Sequence, residues 1–207
     1  MSRAISVSRE FGSGGRELGK RLADALGYDY YDREIVEALS SETGMSANYL
    51  ENQLENGGMM GLPIHFAQTF ARFPAVSEQT VQIMQMQTRL IKALAEKGNC
   101  VIVGRASDYI LEKFRPFKLF VYADQASRIA RCRARAPEGE NLSDRELLRE
   151  MKRIDRTRAE YHDIIAPYAW GDKSGYDLCV NTTGIEIKTI VPAVAEYYRL
   201  WAGIETA

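Results

Sequence analysis

The residues with chemical potential begin at "SREFGSGGRELGKRLA" (Ser8–Ala23), where Gly12, Ser13, Gly14 and Gly15 lead into Arg16 and Glu17. Glycines let a backbone curl so that several N–H groups converge. A helix starting at that point adds partial positive charge, and the two together suit phosphate oxygens. Against the phosphate-loop pattern G-x-x-x-x-G-K-[ST], Gly15 takes the second glycine, while Glu10, Arg16 and Glu17 stand at the first glycine, the lysine and the hydroxyl residue. Arginine keeps lysine's charge but presents a planar fork in place of a compact ammonium. Glu17 is the harder departure. A carboxylate can ligate Mg²⁺ yet repels phosphate, and its plainer reading is a first-turn acid favoured by the helix dipole.

Arginines supply the second constellation. Arg105 follows the apolar run "CVIVG", where it would either clamp a substrate phosphate or pair with a loop acid such as Asp108. Arg128, Arg131, Arg133 and Arg135 precede the polar loop "PEGENL", and Arg149, Lys152, Arg153 and Arg156 recur at helical spacing after it. Such faces are often merely solvated, the plain reading for Lys152 and Arg156. Arginines on both sides of a polar loop also suit a lid that closes over transferring phosphates and neutralises their charge.

The elements that must position these groups alternate between strand and helix. "AISVS" (Ala4–Ser8) and "YDYYD" (Tyr28–Asp32) read as short strands, "CVIVG" (Cys100–Gly104) and "FKLFVYA" (Phe117–Ala123) as buried ones, and "YDLCVNT" (Tyr176–Thr182) as the last. Leu18, Leu22, Ala25 and Leu26 predict a helix stopped by Gly27, and "REIVEALSSETG" predicts one ending at Gly44. "SANYLENQLENGG" reads as a helix closed by Gly57 and Gly58. A long helix runs from about Ser77 to Lys97, with Met84, Ile91 and Leu94 as core. The apolar stretch between them, broken by Gly61, Pro63 and Pro74, reads as a lobe or oligomer contact. Capping boxes at "SDRE" (Ser143–Glu146) and "TGIE" (Thr183–Glu186) open two further helices. The alternation implies an α/β fold, a parallel sheet with helices on both faces.

Composition narrows the function classes. With 207 residues, 45% hydrophobic, 27% charged and a net charge of -1, the chain suits one domain with a buried core and gives no sign of coating nucleic acid or an anionic membrane. No apolar run approaches the roughly 20 residues of a membrane span. The amino terminus lacks the apolar core of a signal peptide. Cys100, Cys132 and Cys179 read as reduced thiols in a cytoplasmic protein, and two histidines without a Cys/His cluster argue against zinc.

Taken in order, "ISVSREFGSGGRELG", "YYDREIV", "CVIVGRASDYIL", "RIDRTRAEY" and "WGDKSGYDLCVNTT" resemble the cytidylate kinases, especially their cytidylate-kinase-like relatives, over nearly the whole chain. The resemblance implies a three-layer P-loop NTPase-type fold in one domain, with a helical acceptor lobe at about 33–75 and a lid at about 131–145. It also implies transfer of the ATP γ-phosphate to a small-molecule nucleotide, CMP or dCMP, with Mg²⁺. Gly12, Ser13, Gly14, Gly15, Arg16 and Glu17 would then lie at the ATP phosphates. Asp32 would edge the monophosphate site, and Arg105 would grip the acceptor phosphate. Asp155 and Arg158 would contact the acceptor's sugar and phosphate, with Arg131 or Arg133 as lid arginines. The family's P-loop lysine is replaced by Arg16, and its aspartate after Gly-Arg by Ala106. Two other readings follow from these departures and from the variant acceptor lobe: a kinase of another small metabolite, or a nucleotide-binding regulatory protein without catalysis. The metal ligands and the oligomeric state are not specified by sequence.

Overall fold

The computed structural model describes residues 3–54, 78–136 and 142–204. Five strands, β1 (Ala4–Arg9), β2 (Asp29–Tyr31), β3 (Cys100–Val103), β4 (Phe117–Tyr122) and β5 (Leu178–Asn181), form one sheet in the order β2-β3-β1-β4-β5. Every pairing is parallel, with Val7 opposite Val103 on one side and Leu119 on the other. Parallel strands place all their carboxyl ends along one edge, and β1 lies at its centre.

Helices cover both faces, as the alternation predicts. Successive residues of a strand point to opposite faces, so Ile5, Val7, Val101 and Val103 face one core while Ala4, Cys100 and Ile102 face the other. The first core is closed by α1 (Gly15–Leu26) and α8 (Ile187–Ala202), through Leu18, Leu22, Val191 and Tyr198. Tyr198 is fully buried, stacks edge-on to Phe117 at 5.4 Å between ring centres, and shares a 3.1 Å hydrogen bond with the Tyr28 hydroxyl. The second core is closed by α2 (Glu34–Thr43), α3 (Ala47–Leu54) and α4 (Glu78–Lys97), with Ile35, Leu39, Leu50, Ile83 and Ile91 buried. Met84 packs at its margin. The short α5 (Ser107–Ile110) follows β3, and α6 (Gln125–Arg135) and α7 (Asp144–Ile165) flank the polar loop.

The capping box at Ser143–Glu146 forms with both of its reciprocal bonds. The one expected at Thr183–Glu186 does not. Thr183 Oγ1 instead accepts from the Asp124 N–H at 2.8 Å, Gly184 turns the chain at φ 66°, and Glu186 caps α8 without a side-chain bond. The hydroxyl is engaged by a neighbouring loop and does not cap the helix. The strand expected at Tyr28–Asp32 is trimmed to three residues, and β1 runs one residue past Ser8, to Arg9. The Gly57–Gly58 stop, the apolar stretch 59–74, most of 33–75 beyond α3, and the centre of 131–145 lie outside the described residues. No described helix is long and apolar enough to cross a membrane.

Candidate active site

The glycine turn leaves β1 at the carboxyl edge of the sheet. Gly12 and Gly14 adopt φ 77° and 83°, a region glycine enters without the Cβ penalty. Gly14 caps α1 with no side-chain bond, and a helix start of this kind suits an anion. The turn is braced from within by Ser13, whose hydroxyl donates to the Glu10 carbonyl at 2.9 Å and accepts from Gly15 N–H at 3.3 Å. From outside, Thr182 Oγ1 donates to the Ser13 carbonyl at 2.7 Å, and Ile187 of α8 presses so close to Gly14 that an added Cβ would stand 2.7 Å from its Cγ1.

A cavity of about 380 Å³ opens over this turn, lined by Gly12, Gly14, Arg16, Arg131, Arg133 and Arg158 among others. Four arginines expected at the site therefore share one space. Their commitments differ. Arg16 is half-exposed, and its Nε lies 2.5 Å from Asp32 Oδ2, which joins the expected donor and acceptor sides. Arg131 donates to the carbonyls of Ser13 at 3.4 Å, Ile185 at 2.9 Å and Thr182, tying α6 to the turn and to the β5–α8 connection. Burial, and then the neighbouring Arg135, lower its pKa from the ordinary value. Arg133 pairs with Asp144 across the polar loop at 2.8 Å. Glu17, at the hydroxyl position, is held by Arg21 at 2.8 Å and by Arg135 of α6.

Asp155 and Arg158 of α7 turn toward the same loop. Asp155 Oδ1 accepts from the Phe11 N–H at 2.7 Å, and its Oδ2 pairs with Arg128. Arg158 Nη1 donates to the Arg9 carbonyl at 3.0 Å, and its guanidinium lies over the Phe11 ring. Arg128, buried beneath, also donates to the Phe11 carbonyl at 2.6 Å and pairs with Glu10 at 3.2 Å. In the sequence Arg128 stands out only as one member of a charged run. Its three-residue spacing from Arg131, which sets both on one face of α6, is the signal that could have found it.

Arg105 lies outside the large cavity. It lines a smaller cleft between β1, β3 and α7, with Arg9, Arg158, Tyr161 and Trp170. Gly104, Arg105 and Ala106 all have positive φ (76°, 58° and 49°), a costly run for the two residues with a Cβ and of the kind that clusters at functional sites. Arg105 Nη1 donates to the buried Gln87 Oε1 at 3.3 Å, and Gln87 Nε2 donates in turn to the Tyr161 hydroxyl at 2.5 Å. Burial pushes Tyr161 up to about 12, so it stays a neutral hydroxyl. Asp108, the expected loop acid, instead accepts from the Tyr168 hydroxyl at 2.9 Å and meets His162 Nε2 at 2.8 Å, all three in the body of the protein. Burial, and then the Asp108 charge, raise the Tyr168 pKa. Gln87, Tyr161 and His162 carry no local signal, because the partner that gives each its meaning is distant in sequence. Arg149, Lys152 and Arg156 lie on an exposed face of α7, matching the solvated reading for the latter two. No cluster of three or more metal-ligating side chains occurs among the described residues.

No curated protein sequence matches the chain significantly. Among solved structures, an uncharacterized protein from Eubacterium ventriosum is 25% identical, with TM-score 0.66 over 94% of this chain and 97% of that one. A shikimate kinase from Bacteroides thetaiotaomicron is 14% identical, with TM-score 0.59 over 96% and 99%, and a gluconokinase from Sinorhizobium meliloti is 14% identical, with TM-score 0.51 over 97% of each. These two show the fold alone. The family model described as the cytidylate kinase-like family matches residues 4–184, a span that takes in the glycine turn, both clefts and all five strands. The chain belongs to the cytidylate kinase-like family.

Proposed function

We propose that the protein transfers a phosphoryl group from ATP to a small hydroxylated or phosphorylated metabolite. The observation that carries this is the glycine turn at the start of α1, open to a cavity into which Arg16, Arg131, Arg133 and Arg158 converge. The start of α1 behind a glycine turn, with positive φ at Gly12 and Gly14, suits the phosphates of a nucleotide. The carboxylates beside the turn, Glu10, Glu17, Asp32 and Asp155, are each engaged by arginines. Magnesium would then arrive with the nucleotide, keep several waters, and spread the negative charge of the phosphates.

In this reading the turn and Arg16 hold the donor phosphates, and Arg131 fixes the turn rather than moving. Arg133 and Arg135 stand at the carboxyl end of α6 beside the polar loop, so their side-chain pairs with Asp144 and Glu17 are the contacts a lid would exchange for phosphate on closing. Closure would exclude water, which strengthens every remaining charge contact. Arg105 and Arg158 take the acceptor's anionic group in the smaller cleft, while Asp155 holds the turn through Phe11. CMP and dCMP are the acceptors the family name suggests. The same fold occurs in proteins named shikimate kinase and gluconokinase, so the fold by itself does not single out CMP, and a wider acceptor class is the better-supported proposal. A coupled ADP-release assay with ATP, Mg²⁺ and a panel of nucleoside monophosphates, hydroxy acids and sugars tests it. Turnover limited to CMP and dCMP narrows the acceptor to pyrimidine monophosphates. ATP binding without turnover across the panel overturns the kinase reading in favour of a regulatory nucleotide-binding protein.

A further inference from the structure

Arg9, the last residue of β1, is 6% exposed, an unusual setting for a cation in the central strand of a sheet. Its course is cleared by two glycines. A Cβ at Gly15 would stand 2.5 Å from Arg9 Cβ and 3.2 Å from its Cγ, so the stem occupies space that any side chain at position 15 would fill. A Cβ at Gly104 would overlap Arg9 Nη1 and approach Cζ to 2.9 Å, so the guanidinium lies against the start of the Arg105 turn. The side chain thus runs from the glycine turn to the acceptor-side loop along the carboxyl edge of the sheet. Asp32 Oδ1 faces its Nη2 at 3.8 Å while its other oxygen holds Arg16.

Among the described residues, Arg9 and Arg158 line both cavities. In the smaller one they join Arg105, and no carboxylate lines that cleft among the described residues. Asp155 stands 3.7 Å from Arg158 and Asp32 3.8 Å from Arg9, both from outside that lining. Arginine cannot deprotonate to escape burial, so three guanidiniums lining one cleft favour an anion there. Arg16 is placed differently. It is half-exposed at the rim and lies on the helix flank rather than between the cavities.

We infer that Arg9 is a phosphate-binding residue of the kinase site, reaching the terminal phosphate of the donor where it meets the acceptor, and that it supplies the charge which the phosphate-loop pattern assigns to a lysine one element later. The inference rests on the kinase reading. Strand and helix have traded places as the source of the cation. Position 15 carries no side chain, and the strand residue beneath it extends through the gap.

Calorimetric titration of ATP and of ADP, each with Mg²⁺, into the wild type and the variants Arg9→Met, Arg9→Lys, Arg16→Met and Gly15→Ala tests the assignment. Losing a charge-assisted contact to the terminal phosphate should weaken ATP in Arg9→Met by at least about tenfold, with ADP changed far less, and Arg9→Lys should recover part of the loss. Gly15→Ala keeps every charge but displaces the Arg9 stem, so it should also lower the preference for ATP over ADP. That variant decides the matter if Arg9→Met does not fold. An unchanged ATP-to-ADP ratio in both Arg9→Met and Gly15→Ala, or a larger loss of that ratio in Arg16→Met, overturns the assignment. Wild type that takes up neither nucleotide overturns the kinase reading itself, an outcome visible before any variant is compared.

Discussion

Asp155 shows how one carboxylate can hold a loop by its backbone. It accepts from the Phe11 N–H and pairs with Arg128, which reaches the Phe11 carbonyl from the other side. Asp155→Ala leaves a largely buried guanidinium with one partner fewer, so a loss of about 3 kcal/mol is expected, measured by thermal or urea unfolding. Asp155→Asn keeps an acceptor for Phe11 and should recover part of that loss together with ATP affinity. Cysteine chemistry is a second expectation at this scale. Cys100 is fully buried, and burial pushes its thiol up to about 11, followed by the nearby Asp29 charge. Its thiolate is scarce at neutral pH, so in the native protein Cys132 and Cys179 should react with a thiol reagent well before Cys100, as peptide mapping of the labelled protein would show. The sequence marks the glycines, Arg16 and Arg105 by local pattern alone. Arg9 is hidden because it ends an apolar alternation, where a charge reads as the strand's exit.

Among the elements, α7 and α1 carry the clearest expectations. The Ser143–Glu146 box holds the start of α7, and Ser143→Ala should cost about 1 kcal/mol. The Ser143 side-chain hydrogen bond, and then its backbone N–H, lower the Glu146 pKa from its ordinary 4.5. A depressed carboxylate stabilises the fold fully above its unfolded pKa, and that contribution fades as pH falls below 4.5 through the folded value. The melting-temperature gap between wild type and Ser143→Ala should therefore narrow in acid, leaving the part due to the Glu146 N–H bond to the Ser143 hydroxyl. At α1, Gly14→Ala forces a left-handed alanine costing ~1–2 kcal/mol and collides with Ile187, so both stability and ATP affinity should fall. The strand and helix order is readable because buried parallel strands and glycine stops leave strong local marks. The Thr183–Glu186 box misleads because a capping hydroxyl and a loop-bracing hydroxyl look alike until Asp124 is seen beside it.

For the whole molecule, the sheet order places β1 between β3 and β4, and so sets the glycine turn between the Arg105 turn and the arginines of α6. Ligand linkage reports on that assembly. ATP at 100 times its dissociation constant should stabilise the fold by about 2.7 kcal/mol, which for a chain of this size raises the melting temperature by roughly 5–10 °C. No shift in a thermal melt with ATP and Mg²⁺ would argue against a nucleotide site. The class of fold is legible from alternation alone. The division of the arginines between two cavities is not, since it depends on how α7 crosses the sheet edge. The bracing of the turn also has a consequence for synthesis. Its outer props are the Thr182 hydroxyl, Arg131 anchored on the Ile185 carbonyl, and Ile187, all beyond or tied to the last strand. The turn is made long before these outer props, which are complete only once β5 and the start of α8 have followed. A nascent chain halted before that strand has the whole glycine motif but lacks these outer props, so nucleotide capture should wait for β5 and the start of α8.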